Sequence, residues 1–291
     1  MCTKTTLAIR ATCRYATRRS LCSSANSGTA KSSSTVNEEE LRHFRRLSAS
    51  WWNQSGDLMA LHSMNRLRVP LIRNALSAEA SSSVEPLTGL KILDVGCGGG
   101  VLTEPLARLG ASVTGLDVLE ENVAVATMHA DLDPTLQGRL TYVQSTVEDM
   151  AEEMPSCFDA VVASEVVEHV NEQTTFVGAC CHLVKPGGSL FMTTLNKTWA
   201  SYLLGIVAAE KLLRVVPDGT HDWEKFISPA TLQEIAAANG CETRLLHGMY
   251  YNPLSNRWRW GRDTSISYAM HMVKAAAPPS VDDKSSGDGS S

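Results

Sequence analysis

Leu90-Lys-Ile-Leu-Asp-Val-Gly-Cys-Gly-Gly-Gly100 is the stretch on which the reading of the 291-residue chain turns. Ile92, Leu93 and Val95 read as a short buried strand. The four glycines among the next five residues force a tight turn where a ligand can approach bare backbone. A dinucleotide fingerprint needs glycines at the first, third and sixth places, but counting from Gly96 the sixth place is Val101, and from Gly98 it is Thr103. A phosphate-binding P-loop needs Gly-Lys-Ser/Thr to close it, and no lysine follows. Phosphate is therefore not the favoured ligand.

The pattern Asp94-x-Gly96-x-Gly98-x-Gly100 instead resembles the loop of class I S-adenosylmethionine (SAM) methyltransferases. That resemblance implies that the loop backbone packs against the methionine part of SAM and that an acid ending the next strand holds the ribose hydroxyls. Asp117, closing Ala-Ser-Val-Thr-Gly-Leu-Asp, stands in that place.

Composition is that of an ordinary globular protein, 43% hydrophobic and 20% charged, enough for one substantial core. The net charge of −5 conceals an asymmetry. Residues 1–36 hold six of the 26 basic residues and none of the 31 acids, so the rest of the chain stands at −11. An acid-free, Arg-rich and Ser/Thr-rich N-terminus predicts a mitochondrial transit peptide, and the acidic remainder argues against nucleic acid as a partner. The eight cysteines form no Cys-x-x-Cys pair, and reduced thiols are expected. No run of eighteen apolar residues is present, so no transmembrane helix is expected.

Strand and helix alternate through the middle of the chain, which predicts an α/β fold with a seven-stranded, mostly parallel, doubly wound sheet and an N-terminal helical cap. The expected division is 1–36 transit peptide, 37–76 cap, 77–87 linker, 88–274 methyltransferase domain with a lid insertion at 196–227, and 275–291 disordered tail. Trp51 and Trp52 are expected to pack the cap onto the core, and Asn252–Asp263 is expected to be a surface loop.

After the fourth predicted strand the chain reads Ser164-Glu-Val-Val-Glu-His-Val170. If Glu165 opens a helical turn, Glu168 and His169 fall at i+3 and i+4 on its face, where three potential ligands converge. Two carboxylates and an imidazole suit a divalent ion, which could bind adjacent phenolic oxygens and ease ionisation of a catechol hydroxyl. The same acid and histidine could equally be structural, or one of them a base.

From about Phe44 to Lys274 the chain resembles the ubiquinone-biosynthesis O-methyltransferase family. The likeness rests on Ser50-Trp-Trp-Asn53, Asn65-Arg-Leu-Arg68, the glycine stretch, Val113-Thr-Gly-Leu-Asp117, Glu168-His169-Val170, Gly219-Thr-His-Asp222 and Tyr251-Asn-Pro253. It implies SAM contacts at Arg68, Gly96, Asp117 and Ser164, with Arg68 meeting the SAM carboxylate through a bidentate contact. It also implies Mg2+ ligation by Glu165, Glu168 and His169. The family's substrates are ring hydroxyls of a polyprenyl-dihydroxybenzoate and of demethyl-ubiquinol, which implies a peripheral enzyme on the matrix side of the mitochondrial inner membrane, within a multi-enzyme complex. Trp199 to Pro217, rich in Leu, Ile and Val, fits an interfacial helix or lid, and His221 after it is the candidate catalytic group. Two alternatives stay open: a SAM methyltransferase for another small acceptor or a quinone ring carbon, and a SAM-binding scaffold without turnover.

Overall fold

The computed structural model describes residues 35–56, 58–77, 83–198 and 225–276. Residues 1–34, Trp199–Pro217, His221 and the tail from 277 lie outside the described residues.

Seven helices and eight strands are described. The helices are α1 Glu38–Leu47, α2 Met59–Leu76, α3 Thr103–Arg108, α4 Glu120–Ala130, α5 Val147–Glu153, α6 Gln173–Leu183 and α7 Pro229–Ala238. The strands are β1 Lys91–Val95, β2 Ser112–Asp117, β3 Leu140–Gln144, β4 Phe158–Ser164, β5 Val184–Leu195, β6 Cys241–Asn252, β7 Arg257–Gly261 and β8 Ser267–Lys274.

The strands form one sheet in the order β3-β2-β1-β4-β5-β8-β6-β7. The first five are parallel, and β8, β6 and β7 join antiparallel. Successive side chains of a strand point to opposite faces, and β1 shows the consequence. Leu93 and Val95 enter the core shared with Val147 and Met150 of α5 and Phe176 and Val177 of α6. Ile92 enters the opposite core, with Ile72 of α2 and Leu106 and Ala107 of α3. A strand buried on both faces has no polar alternation, which is why it reads as a continuous apolar run.

The sheet has one strand more than the seven expected. Asn252–Asp263 is not an open loop: β7 pairs with the end of β6 in the register Tyr251↔Trp258 and Asn252↔Arg257. The polar tip misleads the eye because its polar atoms build the turn. The Asn252 side chain accepts from the amides of Leu254 and Ser255 at 3.0 and 3.3 Å, and Asn256 takes a left-handed φ of +46°. The end of the expected linker is likewise structured, with Leu87 buried and Glu85 paired to Arg139 through two hydrogen bonds of 2.8 and 3.0 Å. The described cysteines are free, and no described helix is long and apolar enough to cross a membrane.

Candidate active site

In an open parallel sheet, ligands bind off the carboxyl ends of the strands where the strand order reverses, here between β1 and β4. A cavity of about 570 Å³ opens there. Asp94, Gly96, Gly98, Asp117, Arg68, Ser164, Glu165 and His169 all line it.

The glycine loop leaves β1 with Gly96, Gly98 and Gly100 at φ of +67°, +53° and +86°. Gly98 shows why no side chain is tolerated: a Cβ there would strike the indole of Trp51. Trp51 lies across the loop, and its Nε1 donates to Asn122 Oδ1 at 2.8 Å. Asn122 Nδ2 in turn donates to Asp117 Oδ1 at 3.2 Å, and the Gly98 amide donates to Asp117 Oδ2 at 2.9 Å. Trp52 holds the other side, donating from Nε1 to the Gly99 carbonyl at 2.9 Å while its ring stacks on His129 at 3.4 Å. The adjacent tryptophans thus pack the N-terminal segment onto the loop, as expected. Burial pushes the Asp117 carboxyl up from its usual range, and the hydrogen bonds from Leu119, Gly98 and Asn122 oppose that shift.

Arg68 is buried, at 4% exposure. Its Nη1 donates to Ser164 Oγ at 2.8 Å, its Nη2 to the Leu61 carbonyl at 2.9 Å and to Asn65 Oδ1 at 2.6 Å, and its Nε to Asn65 Oδ1 at 3.1 Å. A guanidinium has five N–H donors, so a single Nη1 hydrogen is left for a further acceptor. The bidentate contact expected from the sequence would require Arg68 to release one of these partners. Burial lowers the guanidinium to about 10, with Glu165 and Asp94 opposing, so it stays charged at neutral pH. Burial likewise raises Asp94, which accepts from Thr103 Oγ1 at 2.7 Å, to about 6.

Glu165, Glu168 and His169 do not converge as the sequence suggests. Glu165 takes a left-handed φ of +58°, and the short helical turn begins after it, at Val167–His169. Glu165 and Glu168 therefore do not share one helical face. Glu165 accepts from Thr193 Oγ1 at 2.7 Å on the cavity side. Glu168 turns into the sheet, 1% exposed, where Thr194 Oγ1 donates to its Oε2 at 2.8 Å and its Oε1 has no partner. Burial and the neighbouring Glu165 push the Glu168 carboxyl well above the usual range. His169 meets Glu40 of α1, Nδ1 to Oε2 at 3.1 Å. Among the described residues, no group of three or more His, Cys, Asp or Glu is placed to hold a metal ion. In donor chemistry the set still fits a divalent cation: Glu168 keeps an orphaned, buried carboxylate oxygen beside a second acid.

Several site groups escape the sequence reading. Asn122 offered a faint signal, an amide one turn into the helix after Asp117. Glu40, which holds His169 and lies 3.5 Å from Lys225 Nζ, offered none, being far away in the chain.

Comparison with known proteins agrees with this architecture. Residues 93–192 match a methyltransferase domain family. The ubiquinone biosynthesis O-methyltransferase of Rattus norvegicus is 51% identical over 247 residues, covering 84% of this chain and 72% of the relative. That of Homo sapiens is 51% identical over 246 residues, covering 84% and 67%. The Vibrio parahaemolyticus enzyme of the same name is 41% identical over 239 residues, covering 82% and 97%. Magnesium protoporphyrin IX methyltransferase from Synechocystis with bound SAM shares the fold at a TM-score of 0.55 and 16% identity, covering 82% of this chain and 99% of that one. A glycine loop, an acid after the next strand and an N-terminal segment folded over both occur here in a chain 51% identical to the rat and human enzymes and 41% to the Vibrio one; it belongs to the ubiquinone biosynthesis O-methyltransferase family and is a SAM-dependent methyltransferase.

Proposed function

We propose that this protein methylates ring hydroxyls of polyprenylated ubiquinone precursors, a dihydroxybenzoate and a demethyl-ubiquinol, from the matrix face of the mitochondrial inner membrane. Residues 1–36 serve as its transit peptide, and the insertion at 196–227 serves as its lid. The observation that carries this reading is that Glu165 and His169 line the same cavity as Arg68, Asp117 and the glycine loop, which offers a methyl donor on the loop an acidic and imidazole-bearing acceptor side.

In this reading Asp117 accepts from the ribose hydroxyls, the loop amides and Arg68 orient the methionine end, and Ser164 fixes Arg68. The ring hydroxyl gives up its proton to solvent water, and its oxygen attacks the methyl carbon in line with the sulfur. The S–CH3 bond breaks as the new C–O bond forms, and the sulfonium becomes a neutral thioether. SAM already carries a good leaving group, so the protein mainly aligns three atoms, which can lower the barrier by about 7–11 kcal/mol. His221 is the group proposed to close over the ring.

Glu165, Glu168 and His169 are the residues that would hold Mg2+, with Glu40 orienting the His169 imidazole through Nδ1. Mg2+ held there would supply Lewis acidity that lowers the pKa of a ring hydroxyl. The reading is tested with labelled SAM and short-chain dihydroxybenzoate or demethyl-ubiquinol, before and after chelation and magnesium add-back. Label on the ring oxygen supports it. Label on a ring carbon, or none on either acceptor, overturns it, and full activity after chelation removes the metal.

A further inference from the structure

The β6–β7 hairpin has a chemistry of its own. Residues 243–262 carry Arg244, Arg257, Arg259 and Arg262 and no aspartate or glutamate, within a chain of net charge −5. The tip is held by the Asn252 side chain and by Tyr251, whose hydroxyl donates to Asn256 Oδ1 at 3.1 Å. That ordered tip presents Leu254 to solvent at 98% exposure, and Trp260 is 37% exposed on the edge strand. Arginines on an edge strand also deter pairing with another chain. That role accounts for Arg259 but gives no reason for a leucine at the tip.

The same hairpin reaches the active site. Tyr251, Pro253 and Trp258 line the cavity, and Trp258 Nε1 is anchored to the Ala60 carbonyl of α2 at 2.9 Å. The cross-strand pair Tyr251↔Trp258 is directly followed by Asn252↔Arg257, so the cavity-lining pair and the arginine-bearing pair are neighbours along the hairpin and lie on its two opposite faces.

We infer that this hairpin seats the protein on an anionic bilayer, Leu254 entering the headgroup boundary and Arg257 and Arg259 pairing with lipid phosphates. The inference rests on the reading of a lipid-tailed acceptor and extends it: the ring would pass from the membrane surface to the cavity along Tyr251 and Trp258. Basic residues beside an apolar side chain at a rigid tip match a surface that is negative outside and apolar within.

Co-sedimentation of the full chain with phosphatidylcholine vesicles, with and without phosphatidylglycerol, tests this. The expected result is salt-sensitive binding to the anionic vesicles, weakened about fivefold by each of Arg257→Gln and Arg259→Gln and about thirtyfold by both. Leu254→Ser should weaken it further. Methyl transfer to a water-soluble catechol should stay at the wild-type rate in these variants, which shows that they are folded, while transfer to a long-tailed acceptor in vesicles falls. Variants that bind vesicles as the wild type does, or a wild type indifferent to lipid charge, would overturn the inference. So would a dimer that the arginine variants dissociate without changing lipid binding, which would make the edge a contact between copies. Hairpin-dependent vesicle binding without methyl transfer to any catechol would leave the inference standing and remove the proposed acceptor.

Discussion

Arg68 Nη1 donates to Ser164 Oγ at 2.8 Å, tying α2 to the carboxyl end of β4 across 96 residues of sequence. Ser164 Oγ also meets Thr193 Oγ1 at 2.6 Å, and Thr193 donates to Glu165 at 2.7 Å. A chain of four side chains therefore runs from the N-terminal segment through the proposed donor site to the proposed acceptor side. Arg68 and Glu165 are thus linked through two hydroxyls, and the Glu165 charge also acts on the Arg68 guanidinium.

Arg68→Ala leaves Ser164 and Asn65 without their cationic donor. Hydrogen bonds to charged groups contribute about 1.5–3 kcal/mol each, so SAM binding should weaken by on the order of tenfold or more. Arg66→Ala, at an exposed position two residues away, should bind as the wild type does. Titration calorimetry with SAM on both variants checks the contrast.

Gly98→Ala places a methyl group against Trp51 in a left-handed backbone conformation. The expected loss is about 1–3 kcal/mol of stability, with the thermal shift on adding SAM abolished. Gly98→Ala should cost less in a Trp51→Ala background than in the wild type, because the collision partner is gone, although Trp51→Ala is itself destabilising. Thermal unfolding with and without SAM separates the two.

Asp94 titrates in the folded protein near 6 against an ordinary value of 3.8, because burial disfavours its charge. The folded state holds this proton more tightly than the unfolded chain, so stability falls as pH rises from about 4 to 6 and then levels off. Asp94→Asn keeps an acceptor for Thr103 and should remove that slope, giving a protein more stable by up to about 3 kcal/mol above pH 6. Urea unfolding across pH 4–8 would show the difference curve, and a wild type with no slope in this window would refute the assignment.

Glu40 titrates below its ordinary 4.5: burial raises it, but the hydrogen bond and charge of His169, together with Lys225, outweigh that. Its contribution is present above pH 4.5 and lost as pH falls through the lowered folded value. Glu40→Gln should cost on the order of 1–2 kcal/mol at pH 7 and almost nothing once the pH is below the lowered folded value, which urea unfolding of both proteins across the acid range checks.

Burial and the neighbouring Glu165 push the Glu168 carboxyl well above the usual range, toward its neutral form. Glu168→Gln preserves that neutral form and an acceptor for Thr194, so the fold should be stable to within about 1 kcal/mol of the wild type. What should disappear is the response of the methylation rate to added magnesium. A variant that keeps the wild-type magnesium response would remove Glu168 from the proposed ligand set.

Local pattern carried much of the molecule. A strand buried on both faces, a turn that tolerates no side chain and an acid at the end of the next strand are each written within a few consecutive residues, so Leu90–Gly100 and Asp117 can be read without a partner in view. What the sequence could not show is how residues far apart spend their hydrogen bonds. Trp51 reaches Asn122 over 71 positions, and His169 turns to Glu40 over 129. Glu168 leaves the cavity because the left-handed backbone at Glu165 breaks the helical spacing on which its convergence depended. The hairpin was hidden in the same way, since Asn252 reads as loop until its side chain is seen capping the turn. Sequence by itself determined the parallel sheet and the loop at its centre, because short-range sterics and burial dictate both. Tertiary structure alone decided which donors Arg68 still has free and which way the acids point, because those depend on contacts made after the chain has closed on itself.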